Sequence, residues 1–170
     1  MGTRPALGPG VWSRPTNLLL GNWQVSGIHV IQGGLRLTAI LGGSTVLNLV
    51  SDRVARPNLG GNPSLPRSQR TVERWFNTDA VTLPGPAPQA FGNSGVGIMR
   101  GPGLANFDFL IAKKVSDDED RYFQFRTELF NAFNHPNFGP PDVRRNASTF
   151  GRILSARDAR IIQFGLKFYF

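Results

Sequence analysis

The sequence predicts an all-β chain of antiparallel, up-and-down strands, and three observations carry that prediction. The closing ten residues alternate: Ile162, Phe164, Leu166, Phe168 and Phe170 fall on one parity, and Gln163, Gly165 and Lys167 on the other. A period of two belongs to a strand with one apolar and one polar face. The 170 residues include 20 Gly and 13 Pro, which argues against long helices. Nowhere does the chain carry the run of about 18 apolar residues that a membrane-crossing helix needs, whereas about 9 to 11 residues suffice for a tilted membrane-crossing strand. The fold these features specify is the last part of a transmembrane β-barrel: an open, curved sheet with long irregular outer loops.

Taken in order, residues 1–22 are rich in Gly and Pro apart from Leu18 to Leu20, and read as irregular chain or a strand remnant. Residues 23–170 read as the barrel segment. Its first strand covers residues 23–32, where Trp23, Val25 and Gly27 alternate with Gln24 and Ser26 before the pattern blurs. The pair Gly33-Gly34 interrupts it, and residues 35–41 read as a short separate strand or a continuation past a bulge. Residues 42–103 have little periodicity. Their Arg56-to-Pro63 and Leu83-to-Pro88 stretches are turn chemistry, with a short helical turn expected near Ser68 to Phe76, capped by Ser68. So long a connection fits a functional outer loop rather than the interior of a compact soluble domain.

Periodicity returns at residues 104–114, where Phe107, Phe109 and Ile111 share one face and Asn106 and Asp108 the other. The acidic run Asp117 to Asp120 makes a tight turn. Residues 121–133 follow as the clearest strand, with Phe123, Phe125, Thr127 and Leu129 opposing Gln124, Arg126 and Glu128. A loop over 134–158 leads to the terminal strand, 159–170. The parities assign Phe107, Phe109, Phe123 and Phe125 to a lipid-facing surface and Gln124, Arg126, Glu128 and Lys167 to a watery lumen. A short turn between the middle strands and long loops on either side of them match short periplasmic turns and long outer loops.

Nineteen Lys and Arg against eleven Asp and Glu give a net charge of +8. The Arg residues are scattered singly, with Arg144-Arg145 the one adjacent pair of them, which suits solvated loops better than a nucleic-acid surface. No Cys is present, so disulfides and thiolate metal sites are excluded. His29 and His135 are far apart, the acidic run lacks the alternating calcium-loop pattern, and Gly95-x-Gly97 opens no dinucleotide motif. The reading assigns no enzymatic activity, cofactor or metal.

Several stretches together resemble the C-terminal end of a TonB-dependent receptor of the Oar-like outer-membrane group. They are Leu20 to Ile28, Arg74 to Asn77, Arg100 to Asp108, the specific segment Phe125 to Gly139 with its Phe-Asn-His-Pro-Asn-Phe-Gly end, and Ile161 to Phe170. The resemblance implies a barrel of about 22 strands around a plug. It also implies that the terminal strand, with Phe164, Leu166, Phe168 and Phe170, is the signal read by the barrel assembly machinery. The implied partners are outer-membrane lipid, that machinery, the rest of the receptor and, through it, the TonB complex; no nucleic acid is implied. Residues 1–10 lack the apolar core and cleavage site of a signal peptide, and no plug precedes the strands. The expectation is therefore a fragment of an outer-membrane receptor. The competing expectation is a small soluble all-β binding module with a basic surface, whose apolar strand faces would pack against a second sheet.

Overall fold

A computed structural model describes residues 19–42, 56–85, 92–116 and 121–170. Eight strands occur among them: β1 (Trp23–Gln32), β2 (Arg36–Leu37), β3 (Asn58–Leu59), β4 (Val81–Thr82), β5 (Met99–Arg100), β6 (Leu104–Ser116), β7 (Tyr122–Phe130) and β8 (Ile161–Tyr169). The four long ones form a single sheet in the order β1-β6-β7-β8. The three closing strands are antiparallel neighbours in sequence order, the meander that the alternating patterns specify. β1 and β8 are the edges of this sheet, which stays open among the described residues.

Each long strand follows its apolar period, and the ends follow local chemistry. β7 stops at Phe130, three residues short of the expected 133, because Asn131 adopts a left-handed backbone with φ 50°. Asn tolerates that region better than other side-chain-bearing residues. The Asn131 amide donates to Asp108 Oδ1 at 2.9 Å and the Ala132 amide to the Phe107 carbonyl at 2.7 Å, so the chain curls back over β6. β6 runs two residues beyond the expected 114. The acidic turn at 117–120 and residues 1–18 lie outside the described residues.

The chain divides into two compact units. The sheet unit holds residues 1–29, 107–133 and 160–170; the loop unit holds 30–106 and 134–159. The loop unit replaces the expected long irregular loops with a folded body. Its core is Ala39, Phe76, Val81, Met99 and Phe150, with Leu37, Leu59, Trp75, Ile98 and Val143 packed against it. Phe76 and Phe150 meet edge to face with centroids 5.1 Å apart. Backbone bonds stitch the two loop segments together, Ile40 N to the Val143 carbonyl at 3.0 Å and Trp75 N to the Gly151 carbonyl at 2.9 Å among them.

Two expectations for this region change. The apolar stretch 35–41 contributes only a two-residue strand, which pairs with β5 rather than extending the wall. Ser68 is not a cap: the short 3-10 turn is Arg67–Gln69, its N-cap is Pro66, and no side chain caps it. A Pro that supplies no N–H and a pre-set φ opens the turn instead. Close backbone approach explains one glycine: a Cβ on Gly34 would collide with the Gly101 carbonyl, where residues 33–34 meet 101–103.

Candidate membrane-spanning surface

In antiparallel strands, paired residues point to the same face. The β7–β8 register pairs Phe123 with Phe168, Phe125 with Leu166, Thr127 with Phe164 and Leu129 with Ile162. The β6–β7 register adds Val115, Ile111 and Phe109 opposite Phe123, Thr127 and Leu129. One face therefore collects apolar side chains from three strands. Ring contacts lace it, Phe123 to Phe168 at 4.6 Å, Phe125 to Phe164 at 6.1 Å and Phe107 to Phe109 at 6.1 Å. Phe107 also meets Phe133 at 5.1 Å and the His29 ring at 5.7 Å.

The opposite parity gathers polar groups. Gln124 pairs with Lys167 and with Lys114, Arg126 with Gly165 and Ala112, and Glu128 with Gln163 and Leu110. Arg126 donates to Glu128 Oε1 at 2.7 Å along β7. Toward the β6–β7 turn, Tyr122 stacks on Tyr169 at 4.3 Å, and Lys114 Nζ lies 3.9 Å from the centre of the Tyr122 ring. The sequence-assigned residues thus separate as their parities require. Phe107, Phe109, Phe123, Phe125, Phe164, Leu166 and Phe168 share one face, and Gln124, Arg126, Glu128 and Lys167 share the other. Phe170 lies just beyond β8 and stacks on Phe168 at 5.8 Å.

Exposure runs opposite to that of a water-soluble sheet. Phe164, Leu166 and Phe168 are 67, 69 and 51 % exposed. On the central strand β7, Phe125 is 44 % exposed while the Arg126 and Glu128 side chains are only 31 and 27 % exposed. An exposed, contiguous apolar patch marks a surface made for something other than water.

One residue escaped the sequence reading. Lys113 pairs with Phe125 and so sits on the apolar face, where a bare cation is costly. It is nonetheless 8 % exposed. Its Nζ donates to the Gly21 carbonyl and lies 5.0 Å from the centre of the Trp23 ring, a cation–π contact. The buried ammonium is thus compensated within the protein, by a carbonyl oxygen and an indole face, rather than by water. The odd parity of Lys113 after Phe107, Phe109 and Ile111, matched by Trp23 at the start of β1, was the available signal.

The profile of the outer membrane beta barrel domain family matches residues 4–163, nearly the whole chain. The chain belongs to that family. No curated protein and no solved structure matches it. As an outer-membrane barrel domain, it lies in a solvent that reverses the usual rule: the apolar face is the outside. No described helix is long and apolar enough to span a membrane. β1 and β8 form the two edges of the four-stranded sheet among the described residues.

The loop unit carries a cavity and a tightly bonded carboxyl. Among the described residues no group of His, Asp and Glu could hold a metal ion. One cavity of about 250 Å³ is lined by several Gly and Pro residues with Leu35, Leu37, Phe138 and Arg157. Asp142 accepts bonds from the Arg144 Nε at 2.9 Å, the Arg144 Nη2 at 2.8 Å and the Thr149 hydroxyl at 2.6 Å. The Arg144 guanidinium, chiefly, holds that carboxyl well below the usual carboxylate range. With every contact going to its own loop, Asp142 is a structural staple of residues 142–152.

Proposed function

We propose that this chain forms the C-terminal wall of a TonB-dependent receptor of the Oar-like group, a non-enzymatic transporter barrel. The observation that carries the reading is the apolar face shared by β6, β7 and β8, on which Phe123, Phe125, Phe164 and Phe168 are exposed, closing on Phe170. In that role Phe107, Phe109, Phe123 and Phe125 meet acyl chains. Gln124, Arg126, Glu128 and Lys167 line the lumen against a plug. Phe164, Leu166, Phe168 and Phe170 present the assembly signal to the barrel assembly machinery. The remaining strands and the plug come from receptor sequence beyond these residues. Energy reaches the barrel through the plug from the TonB complex. A soluble binding module is disfavoured by the same observation, because its Phe164 and Phe168 would be covered by a second sheet.

The test is native purification from outer membranes in mild detergent. The proposal expects the chain in one complex with a plug-bearing polypeptide, and that complex to be retained by the periplasmic domain of TonB. A chain that leaves the membrane fraction in aqueous buffer, or that purifies with no TonB-retained partner, contradicts it.

A further inference from the structure

We infer that the ladder between β2 and β5 is an anion site, in which Arg36 and Arg100 together bind a phosphate group. The register makes Arg36 and Arg100 direct cross-strand partners, beside the pair Leu37 and Met99. Met99 is buried and Leu37 packs on the core, so the two Arg side chains occupy the other, exposed face. Directly opposed residues hold their Cβ atoms about 4.5 to 5.5 Å apart, and like charges so placed repel. A two-residue ladder has few bonds to set against that repulsion.

The ion pairs of Arg74, Arg126, Arg144 and Arg152 go to Asp79, Glu128, Asp142 and Glu73, and none of these four reaches Arg36 or Arg100. None of these four ion pairs relieves the repulsion. The scaffold meanwhile holds both residues in place. The Arg36 stem rests on Gly97, whose φ is +65° and whose added Cβ would lie 3.3 Å from Arg36 Cβ. The Gly97 amide donates to Thr38 Oγ1 at 2.9 Å and the Gly101 amide to the Leu35 carbonyl at 2.9 Å. The Trp75 indole N–H donates to the Arg100 carbonyl at 3.0 Å, pinning β5.

Charge distribution supplies the second line of argument. Residues 30–106 and 134–159 contain eleven Arg, no Lys, and five Asp or Glu, so +6 of the chain's +8 resides in the loop unit. The three Lys, at 113, 114 and 167, are all in the sheet unit. Planar guanidinium forks match phosphate oxygens two at a time, which an ammonium does not. Two such forks across one ladder suit a doubly charged phosphate. Its source is either a free phosphate ester or a phosphorylated lipid headgroup. The inference rests on the loop unit alone and stands whether or not the barrel belongs to a TonB-dependent receptor.

The test uses the full chain in neutral detergent at low salt. Inorganic phosphate is titrated calorimetrically, followed by short-chain phosphatidic acid as the headgroup probe. The wild type binds at least one of them saturably, and whichever binds more tightly identifies the source. The double variant R36Q/R100Q binds about tenfold more weakly or worse, as expected on loss of charge-assisted bonds, whereas R67Q, an exposed Arg outside the ladder, is unchanged. Thermal unfolding provides the control for folding. In chloride buffer R36Q melts at or above the wild type because repulsion is removed, and in phosphate it loses the wild type's upward shift. Absence of saturable binding by either probe, equal binding by R36Q/R100Q, or a lower chloride melting point for R36Q overturns the inference.

Discussion

The sheet unit and the loop unit use the same kinds of residue in opposite ways. Among the described residues, every buried hydrophobic side chain except Ala112 lies in the loop unit, whose Phe76 and Phe150 pack inward on Val81 and Met99. The sheet unit turns Phe123, Phe125, Phe164 and Phe168 outward. A loop unit that buries its aromatics is built for water. A sheet that displays them is built for a medium in which display carries no penalty. Charge follows suit: Lys113, on the apolar face, folds its cation back onto Gly21 and Trp23, whereas loop arginines such as Arg144 remain exposed beside their carboxylates.

The comparison can be broken most forcefully at Phe76. Truncation to Ala should cost the loop unit about 3–5 kcal/mol, read as a lowered unfolding midpoint in aqueous detergent solution. If Phe76→Ala is neutral, the loop core is not a core. Phe125 should behave in the contrary sense. Phe125→Ala should change stability little, while Phe125→Arg should cost about 2–4 kcal/mol in a bilayer, measured by unfolding from vesicles. A large loss for Phe125→Ala in water would mean that its ring packs against protein rather than lipid.

Asp142 sharpens the loop side. Its carboxyl is held below its ordinary value of 3.8, so ionised Asp142 stabilises the folded loop above that value. That contribution fades as pH falls through 3.8 and below, when the unfolded chain takes up its proton first. Asp142→Asn should cost about 1–3 kcal/mol at neutral pH and flatten the acid limb of the stability curve. An unchanged acid limb would remove Asp142 as the staple. The smallest effect belongs to the sheet: Lys113→Met should shift bilayer stability by only about 0.5–2 kcal/mol, because it removes a cation–π contact and a desolvated charge together. A loss much larger than this would indicate that Lys113 holds the start of β1 in place.

The sheet was legible because its signal is local. Parity alone placed β1, β6, β7 and β8 and sorted Phe123 from Gln124 and Phe164 from Lys167, and pairing merely aligned faces already marked. Strand ends were less legible, since the end of β7 depends on the backbone of Asn131. The loop core was invisible because Ala39, Phe76, Val81, Met99 and Phe150 arrive singly from distant positions, with no period to announce them. The Arg36–Arg100 ladder was hidden for the same reason: 64 residues of sequence separate partners that only a register brings together. Lys113 carried no sequence assignment, although its odd parity after Phe107, Phe109 and Ile111 puts it on the apolar face.

The chain contains no Cys, so single cysteines can be placed one at a time along Tyr122 to Phe130 and probed in intact outer membranes. A water-soluble maleimide and a lipid-partitioning one would report the medium at each position. The account predicts strict alternation, with positions 123, 125 and 127 labelled only from lipid and positions 124, 126 and 128 reached from water. Aqueous labelling of both parities would show that the exposed aromatic face of this sheet does not meet the membrane.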